Sequence, residues 1–265
     1  MTIDKNIIKE YQDSGVIVLR KIIDNFWLEK LKIGIKKNFE SPSKYKCVYE
    51  KKQSKELFFD DYCNWQRIKE YKDFFFNSNI AYLASQLMKS EKVNLFHEHV
   101  LIKEPGSTKK TPWHQDQPYY CVNGNDNCSL WIPLDPISKD ICPEFICSSH
   151  KWNKKFLPTK FIGESYEKKD GEFEKIPDID NNRENYKIAS WSLNPGDLIA
   201  FNFSTVHGAP GNNSSNRRRA FSARFTGDDA TFAKRKGETS PPFPEVNLNH
   251  GDPMDSITFP KIIFK

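Results

Sequence analysis

The sequence predicts a mainly β protein of α+β type, in which helices precede a barrel or jelly roll of short strands. From about residue 93 onward, short runs rich in β-branched and aromatic residues are separated by Pro, Gly and Asn, a pattern typical of antiparallel β-folds. Before that point, apolar residues recur at helical spacing. The 265 residues contain neither an internal repeat nor a clear linker, so we expect one domain over residues 1–265.

The first part of this domain, about residues 1–90, should be helical with one short strand. We expect a helix over residues 3–12, a turn at residues 13–15 and a buried, β-branched strand over residues 16–19. Two amphipathic helices should follow, with Asn25 and Ser78 as their N-caps. Their apolar faces consist of Trp27, Leu31 and Ile35 in the first and of Ile80, Leu83, Ala84 and Leu87 in the second.

The β core should occupy about residues 91–230. Its predicted strands are residues 93–103, 128–134, 144–147, 189–193, 198–206 and 218–226. Residues 154–186 are charged and lack periodicity, so we expect a long surface excursion there. From residue 234 onward the chain carries five prolines, which predicts an extended C-terminal tail wrapped over the core.

Composition and charge exclude several classes of protein. The 36 aromatic residues against 12 glycines argue against a disordered or fibrous chain. The net charge is only +5, and acidic residues are interleaved with the basic ones almost everywhere, so we expect no nucleic-acid partner. No apolar segment is long enough to span a membrane, and the N-terminus does not resemble a signal peptide.

The six cysteines contain no CxxC pair and have irregular spacing, which fits neither a zinc site nor a secreted disulfide framework. We therefore expect buried free thiols and a cytoplasmic protein. The oligomeric state cannot be predicted from these features.

A first candidate for metal binding is the pair His114 and Asp116, which lie at positions i and i+2. On an extended chain this spacing places both side chains on one face. A second histidine, His207, follows a turn at residues 194–197 and the predicted strand 198–206. Two histidines and one carboxylate with open coordination positions form the facial triad of non-haem Fe(II) oxygenases, whereas a closed structural zinc site needs a fourth ligand.

The strand that begins at Arg218 supplies a candidate anion-binding residue. One face of this strand carries Arg218, Ala220, Ser222 and Arg224, and the other carries Arg219, Phe221, Ala223 and Phe225. The first set is small and polar, as the wall of a cavity would be. An arginine on that wall can bind a carboxylate through two parallel hydrogen bonds, which a dicarboxylate cosubstrate requires.

A family resemblance rests on a spaced set of residues: His114, Asp116, Trp131, Ser149-His150-Lys151, His207 and Arg218. This set resembles the phytanoyl-CoA dioxygenase family of Fe(II)/2-oxoglutarate-dependent oxygenases over about residues 15–225. The resemblance implies a double-stranded β-helix, a cupin-like jelly roll with helices packed outside it. It also implies Fe(II) held by His114, Asp116 and His207, 2-oxoglutarate held at its distal carboxylate by Arg218, Trp131 lining the cosubstrate pocket, and O2 as the oxidant.

Three positions depart from the family pattern. Cys142 stands where relatives often have an Asn-Gly pair, and Ser148 stands where they have Gly. Ala209 replaces a hydroxyl-bearing residue that some relatives offer to the cosubstrate. These departures leave the metal ligands intact and concern the surroundings of the cosubstrate and the substrate.

Other polar residues could serve the substrate or only the scaffold. His97 and His99 share one face of a strand and could contact substrate or form a hydrogen-bonded wall. Lys103 and Arg224 could each anchor an acidic substrate. Tyr119 could line the pocket or belong to the core.

The function that we expect is an Fe(II)- and 2-oxoglutarate-dependent dioxygenase that hydroxylates a small organic substrate. The alternative is a cupin-like metal-binding protein without oxygenase activity. The inward-facing Arg218 and the lack of a fourth metal ligand favour the enzyme.

Overall fold

A computed structural model of the chain describes residues 2–50, 57–158 and 173–264. Its helices are α1 (Lys5–Ser14), α2 (Asn25–Glu40), α3 (Lys69–Asn77) and α4 (Ile80–Met88). Its strands are β1 (Val16–Leu19), β2 (Cys47–Glu50), β3 (Leu57–Tyr62), β4 (Asn94–Lys103), β5 (Thr111–His114), β6 (Val122–Asn123), β7 (Asn127–Pro133), β8 (Glu144–Ile146), β9 (Lys155–Phe156), β10 (Phe173–Glu174), β11 (Ile188–Ala189), β12 (Leu198–Phe201), β13 (His207–Ala209), β14 (Arg218–Thr226) and β15 (Thr231–Phe232).

Two antiparallel sheets form the jelly roll. The larger sheet has seven strands in the order β1-β12-β7-β14-β4-β3-β2, and the smaller has four in the order β11-β8-β13-β5. Strand β14 lies between β4 and β7 and pairs with both. Residues of both sheets line one cavity, so the fold is the predicted mainly β, cupin-like jelly roll with outer helices.

The two faces of β14 separate the core from the cavity as the sequence predicts. Phe221 and Phe225 are fully buried and belong to the same apolar cluster as the helices. The Phe221 ring centroid lies 4.8 Å from that of Tyr71 and 5.8 Å from that of Phe75, both on α3. The opposite face of β14 lines the cavity, and packing against the helices therefore fixes which side chains point inward.

The helices of the N-terminal part begin one or two residues away from the predicted positions. Asp24, not Asn25, caps α2, because its carboxylate accepts a hydrogen bond from the Trp27 N–H at 3.0 Å. Asn79, not Ser78, is the N-cap residue of α4. Helix α1 ends at Gly15, which adopts a left-handed φ of 72° and donates its N–H to the Tyr11 carbonyl.

The prediction of a helical N-terminal part with one strand was wrong for β2 and β3. These strands extend the larger sheet through antiparallel pairing of β3 with β4. Four consecutive residues of β3 are buried, so this strand does not require the alternation of polar and apolar residues that would predict it. Its pairing with β4, which is distant in sequence, decides the structure. Helix α3 was also not predicted.

Two predicted strands are shorter than expected. The run 198–206 ends as a strand at Phe201, and a turn follows in which the Thr205 N–H donates to the Asn202 carbonyl. Of the run 189–193, only Ala189 lies in a strand, the two-residue β11. Residues 159–172 of the predicted surface excursion lie outside the described residues.

The C-terminal tail wraps over the core as predicted. Phe243 and Phe259 pack against Phe96 of β4, with ring centroids 5.4 Å away in each case. The Ile262 N–H donates to the Val93 carbonyl at 2.8 Å. None of the helices in the described part of the chain combines the length and hydrophobicity needed to cross a bilayer.

All six cysteines are free thiols. Burial is confirmed for Cys121, Cys128 and Cys142, but Cys47 is exposed. Cys47 opens β2, which is the edge strand of the larger sheet in the described part of the chain.

Candidate metal centre and active site

The three predicted ligands His114, Asp116 and His207 meet at one end of the cavity. Their donor atoms all lie within 4.8 Å of one another. Asp116 Oδ1 is 3.5 Å from His114 Nε2 and 3.9 Å from His207 Nε2. Within the described residues this is the one group of three or more His, Cys, Asp or Glu side chains with such spacing.

Strand pairing brings the two histidines together. His207 opens β13 and stands opposite His114, the last residue of β5, so that their ring centroids are 4.2 Å apart. The prediction that His114 and Asp116 converge on extended chain was wrong in its geometry. Asp116 has helical dihedrals, φ −72° and ψ −41°, and precedes a 3₁₀ turn at Gln117–Tyr119. The turn, and not a pleat, directs its carboxylate toward the histidines.

The hydrogen bonds of His114 and His207 occupy Nδ1 of each ring and leave Nε2 free to bind a metal ion. His114 Nδ1 lies 2.8 Å from the Pro112 carbonyl, and His207 Nδ1 lies 2.9 Å from the Thr205 carbonyl. Because a carbonyl oxygen only accepts, each Nδ1 must carry a proton and donate it. A neutral ring then presents the lone pair of Nε2. Burial, together with the nearby His114, lowers the pKa of His207 to about 3, which keeps that ring neutral.

The carboxylate of Asp116 is held in its ionised form. Burial on its own would raise the pKa of Asp116, but the positive charge of the nearby Arg224 guanidinium, the largest opposing influence, lowers the pKa. Arg224 Nε and Nη2 each lie 3.4 Å from Asp116 Oδ2. Oδ1 is thus free for a metal ion, and the donor set of two neutral imidazoles and one carboxylate fits Fe(II).

Arg218 and Trp131 line the same cavity, which has a volume of about 430 Å³. Arg218 is 6% exposed, and its Nη1 donates to the Ile141 carbonyl. Burial lowers the pKa of Arg218 to about 10, so the guanidinium remains charged at neutral pH. Trp131 stands opposite Ser222 on the neighbouring strand.

Lys103 is also buried in the cavity wall, opposite Arg218 across the β4–β14 ladder. Its Nζ donates to the Lys109 and Pro210 carbonyls at 2.7 and 3.0 Å. Burial, with the charge of Arg218, lowers the pKa of Lys103 to about 6. Its hydrogen bonds therefore tie it to the scaffold beside the Arg218 end of the cavity.

His97 and His99 both face the cavity. His99 Nε2 is 3.1 Å from Asp60 Oδ1 on β3, so His99 is a hydrogen-bonded wall residue. His97 keeps an Nε2 with no partner in the described part of the chain. Tyr119 lines the cavity as well, with its ring centroid 5.8 Å from that of His114.

The three departures have identifiable structural settings. Ser148 adopts a left-handed φ of 65°, the conformation that favours glycine, and its N–H donates to the Ser14 carbonyl. Ala209 pairs with Thr111, a hydroxyl residue of the cavity wall. Cys142 is buried in the apolar cluster that contains Trp131.

Sequence reasoning missed a second side of the cavity. Asp60 and Tyr62 of β3, together with Ser240 and Pro241 of the tail, line it. The Tyr62 and Ser240 hydroxyl oxygens are 3.4 Å apart. The aromatic run of β3 was the available signal for a strand, but nothing local indicates that the tail returns to this point.

The family model of phytanoyl-CoA dioxygenase (PhyH) matches residues 11–220 of the chain. This match covers most of the helical part and the jelly roll up to the beginning of β14. No curated protein matches the chain.

Several solved structures share the fold. The non-heme alpha ketoglutarate dependent carbocyclase SnoK from nogalamycin biosynthesis is 18% identical, with a TM-score of 0.75 over 99% of this chain and 97% of that one. The epimerase SnoN in complex with Fe3+, alpha ketoglutarate and nogalamycin RO is 16% identical, with a TM-score of 0.75 over 97% of each chain. EctD from S. alaskensis with 2-oxoglutarate and 5-hydroxyectoine is 17% identical, with a TM-score of 0.70 over 95% of this chain and 85% of that one.

Proposed function

The chain belongs to the phytanoyl-CoA dioxygenase family of Fe(II)/2-oxoglutarate-dependent dioxygenases, and from that premise we propose that it hydroxylates a small organic substrate in the cavity between its two sheets. His114, Asp116 and His207 hold Fe(II), and Arg218 holds the distal carboxylate of 2-oxoglutarate, with Trp131 beside it. The observation that carries the proposal is the convergence of the three donor atoms within 4.8 Å in a cavity whose wall includes Arg218.

Each part of the site has its own task. Bound iron, with 2-oxoglutarate and O2, supplies the oxidising chemistry. The Pro112 and Thr205 carbonyls fix the two histidine rings. Arg224 keeps Asp116 ionised, and the buried guanidinium of Arg218 offers a fork that matches a carboxylate.

The presence of Asp116 supports hydroxylation over halogenation. A carboxylate at this position occupies a coordination place that a halide would need, and it lowers the net charge of the site, which disfavours a further anion. We also propose a single domain over residues 1–265 that works in a reducing, cytoplasmic environment, as its free thiols suggest.

Iron content and 2-oxoglutarate turnover test the proposal. Purified protein should bind one Fe(II) per chain and convert 2-oxoglutarate to succinate in the presence of O2 and substrate. With isotopically labelled O2 in chloride-rich buffer, the product should carry the label. Iron binding without any 2-oxoglutarate binding would instead indicate a cupin-like metal-binding protein, and a chlorinated main product would contradict hydroxylation.

A further inference from the structure

Two glutamines flank the metal ligand Asp116 and hydrogen-bond to the segment that carries His207. Gln115 is 3% exposed, and its Nε2 donates to the Ser204 carbonyl at 2.9 Å. On the other side of Asp116 in the sequence, Gln117 Oε1 accepts a hydrogen bond from the Ser204 hydroxyl at 2.7 Å. The two glutamines therefore hold this serine through both its main chain and its side chain.

The residue that follows this serine orients the second histidine. The Thr205 carbonyl accepts a hydrogen bond from His207 Nδ1 at 2.9 Å, and His207 Nε2 lies 3.9 Å from Asp116 Oδ1. The main chain supplies a further link, because the Gln117 N–H donates to the Phe203 carbonyl at 3.0 Å. The turn that carries Asp116 is thus joined directly to the turn that orients His207.

Asp116 needs such support because it lies outside the sheets. The two histidines face each other across the β5–β13 ladder, but β5 ends at His114, and Asp116 has helical dihedrals in the turn beyond it. Strand pairing therefore fixes His114 and His207 but not the carboxylate. A metal site requires its donors within about 0.5 Å of the productive geometry, so other contacts must fix Asp116.

The hydrogen bonds of Gln115 are committed to the scaffold. Its Nε2 also donates to the Lys154 carbonyl at 3.0 Å, and its Oε1 accepts from the Phe156 N–H at 3.1 Å. Both amide hydrogens are thus used. Among the described residues that line the cavity, neither Gln115 nor Gln117 is included. Any influence of these glutamines on the metal must therefore pass through the residues that they hold.

We propose that Gln115 and Gln117 are positioning residues of the metal centre, which set the place of Asp116 relative to His207 by holding Ser204. This inference rests on the proposed function, because it takes Asp116 and His207 as metal ligands. Residues that orient metal ligands by hydrogen bonding typically contribute about 10- to 100-fold to metal affinity. We expect a loss of that size when either glutamine loses its hydrogen bonds.

Co(II) binding to Gln115→Met tests the proposal without turnover. Methionine keeps the length of the side chain but cannot form the hydrogen bonds to Ser204, Lys154 and Phe156. In a competition titration with a chelating dye, the variant should bind Co(II) about 10- to 100-fold more weakly than the unmodified protein. The visible absorption bands of bound Co(II), which report the coordination geometry, should also change.

A buried amide of the helical layer provides the matched control. Asn38 of α2 is fully buried, and its Nδ2 donates to Asp61 Oδ2 at 2.7 Å. Asn38→Leu should lower the free energy of unfolding in urea but leave the Co(II) affinity and absorption bands unchanged. This control separates a loss of metal-site geometry from a general loss of stability.

A double-mutant cycle tests the route through Ser204 and uses the half-buried Gln117, so it does not depend on the folding of Gln115→Met. Gln117→Met and Ser204→Ala each remove the bond between the amide and the hydroxyl. Because the two changes share this bond, their combined effect on the Co(II) dissociation constant should be smaller than the product of the single effects.

Three results would overturn the proposal. They are unchanged Co(II) affinity and absorption bands in both glutamine variants, an equal loss of affinity in Asn38→Leu, and fully multiplicative effects in the double-mutant cycle. If the unmodified protein itself binds no Co(II), the proposed function is refuted instead.

Discussion

Replacement of Arg218 by alanine is the most direct test of how the cavity holds 2-oxoglutarate. The guanidinium is buried on the cavity wall, and its side chain donates to the protein through the Ile141 carbonyl. Among the described residues Arg218 makes no further side-chain hydrogen bond that would occupy its other donors, and a carboxylate can accept from them. Arg218→Ala removes the whole fork while the metal ligands, which lie on other strands or turns, remain in place.

The expected loss of 2-oxoglutarate affinity follows from the burial of the pair formed by Arg218 and the distal carboxylate. Truncation of one partner of a buried, hydrogen-bonded charge pair costs about 2–5 kcal/mol. At about 1.4 kcal/mol per tenfold, this range corresponds to a dissociation constant for 2-oxoglutarate that rises by about 30-fold to several thousandfold. The dissociation constant of Arg218→Lys should lie between those of the unmodified protein and Arg218→Ala, because an ammonium group keeps the charge but loses the planar fork.

The anaerobic Fe(II) protein provides the assay, since its metal-to-ligand absorption reports 2-oxoglutarate binding in a titration. The neighbours of Arg218 are matched controls. Arg217 pairs with Glu104 at 2.6 Å and Arg219 with Asp135 at 2.7 Å, so alanine at either position should leave 2-oxoglutarate binding unchanged. An unaltered dissociation constant in Arg218→Ala, together with a loss in Arg219→Ala, would refute the assigned strand register.

Three further predictions concern the metal and the stability of the fold. His207→Ala should abolish iron binding, because only two of the three donors remain, and retained iron in elemental analysis would show that the ligand set is wrong. Glu98→Gln should flatten the pH dependence of stability in urea unfolding. Burial raises the pKa of Glu98 from 4.5 to about 8, so between these pH values the folded protein binds a proton that the unfolded chain releases. The free energy of unfolding therefore falls by about 1.4 kcal/mol per pH unit as pH rises through this range. The same pH dependence in Glu98→Gln as in the unmodified protein would contradict this. Asp197→Ala should lower the free energy of unfolding by about 1–3 kcal/mol, because Asp197 accepts from Arg20 and from the Lys21 N–H. Despite burial, the hydrogen bond from the Asn194 N–H, together with those from Arg20 and Lys21, lowers the pKa of Asp197, so the difference between the two proteins should shrink in acid as the carboxylate protonates. An equal loss of unfolding free energy at low pH would contradict a role for its charge.

Local patterns were sufficient for the parts of the site that depend on one strand. The alternation along β14 identified which side chains face the cavity, because the rings of Phe221 and Phe225 share one face of the strand and must meet the helices. The same reasoning found His97 and His99 on one face of β4. For His114 and Asp116 the sequence predicted that the two side chains lie close together, as they do, but not the turn that joins them, since a helical residue at Asp116 leaves no periodic signal.

Long-range pairing decides what local patterns could not. His97 and His99 are equivalent by spacing, yet within the described residues only His99 has a carboxylate hydrogen-bond partner, because β3 places Asp60 beside it. That distinction depends on the pairing of β3 with β4, a contact across about forty residues that carries no signature in either strand. The approach of Ser240 to Tyr62 is of the same kind.

Strand β14 links the two ends of the site. Arg218 and Arg224 are six residues apart on one face, which at about 3.4 Å per residue places their Cα atoms about 20 Å apart. One arginine can therefore serve the distal carboxylate of the cosubstrate while the other supports Asp116 at the metal. A slip of the strand by one residue would turn both arginines toward the helices and bring Phe221 and Phe225 into the cavity. The aromatic packing of the outer face against α3 thus holds both arginines in register, and the helical layer contributes to the chemistry by fixing this strand.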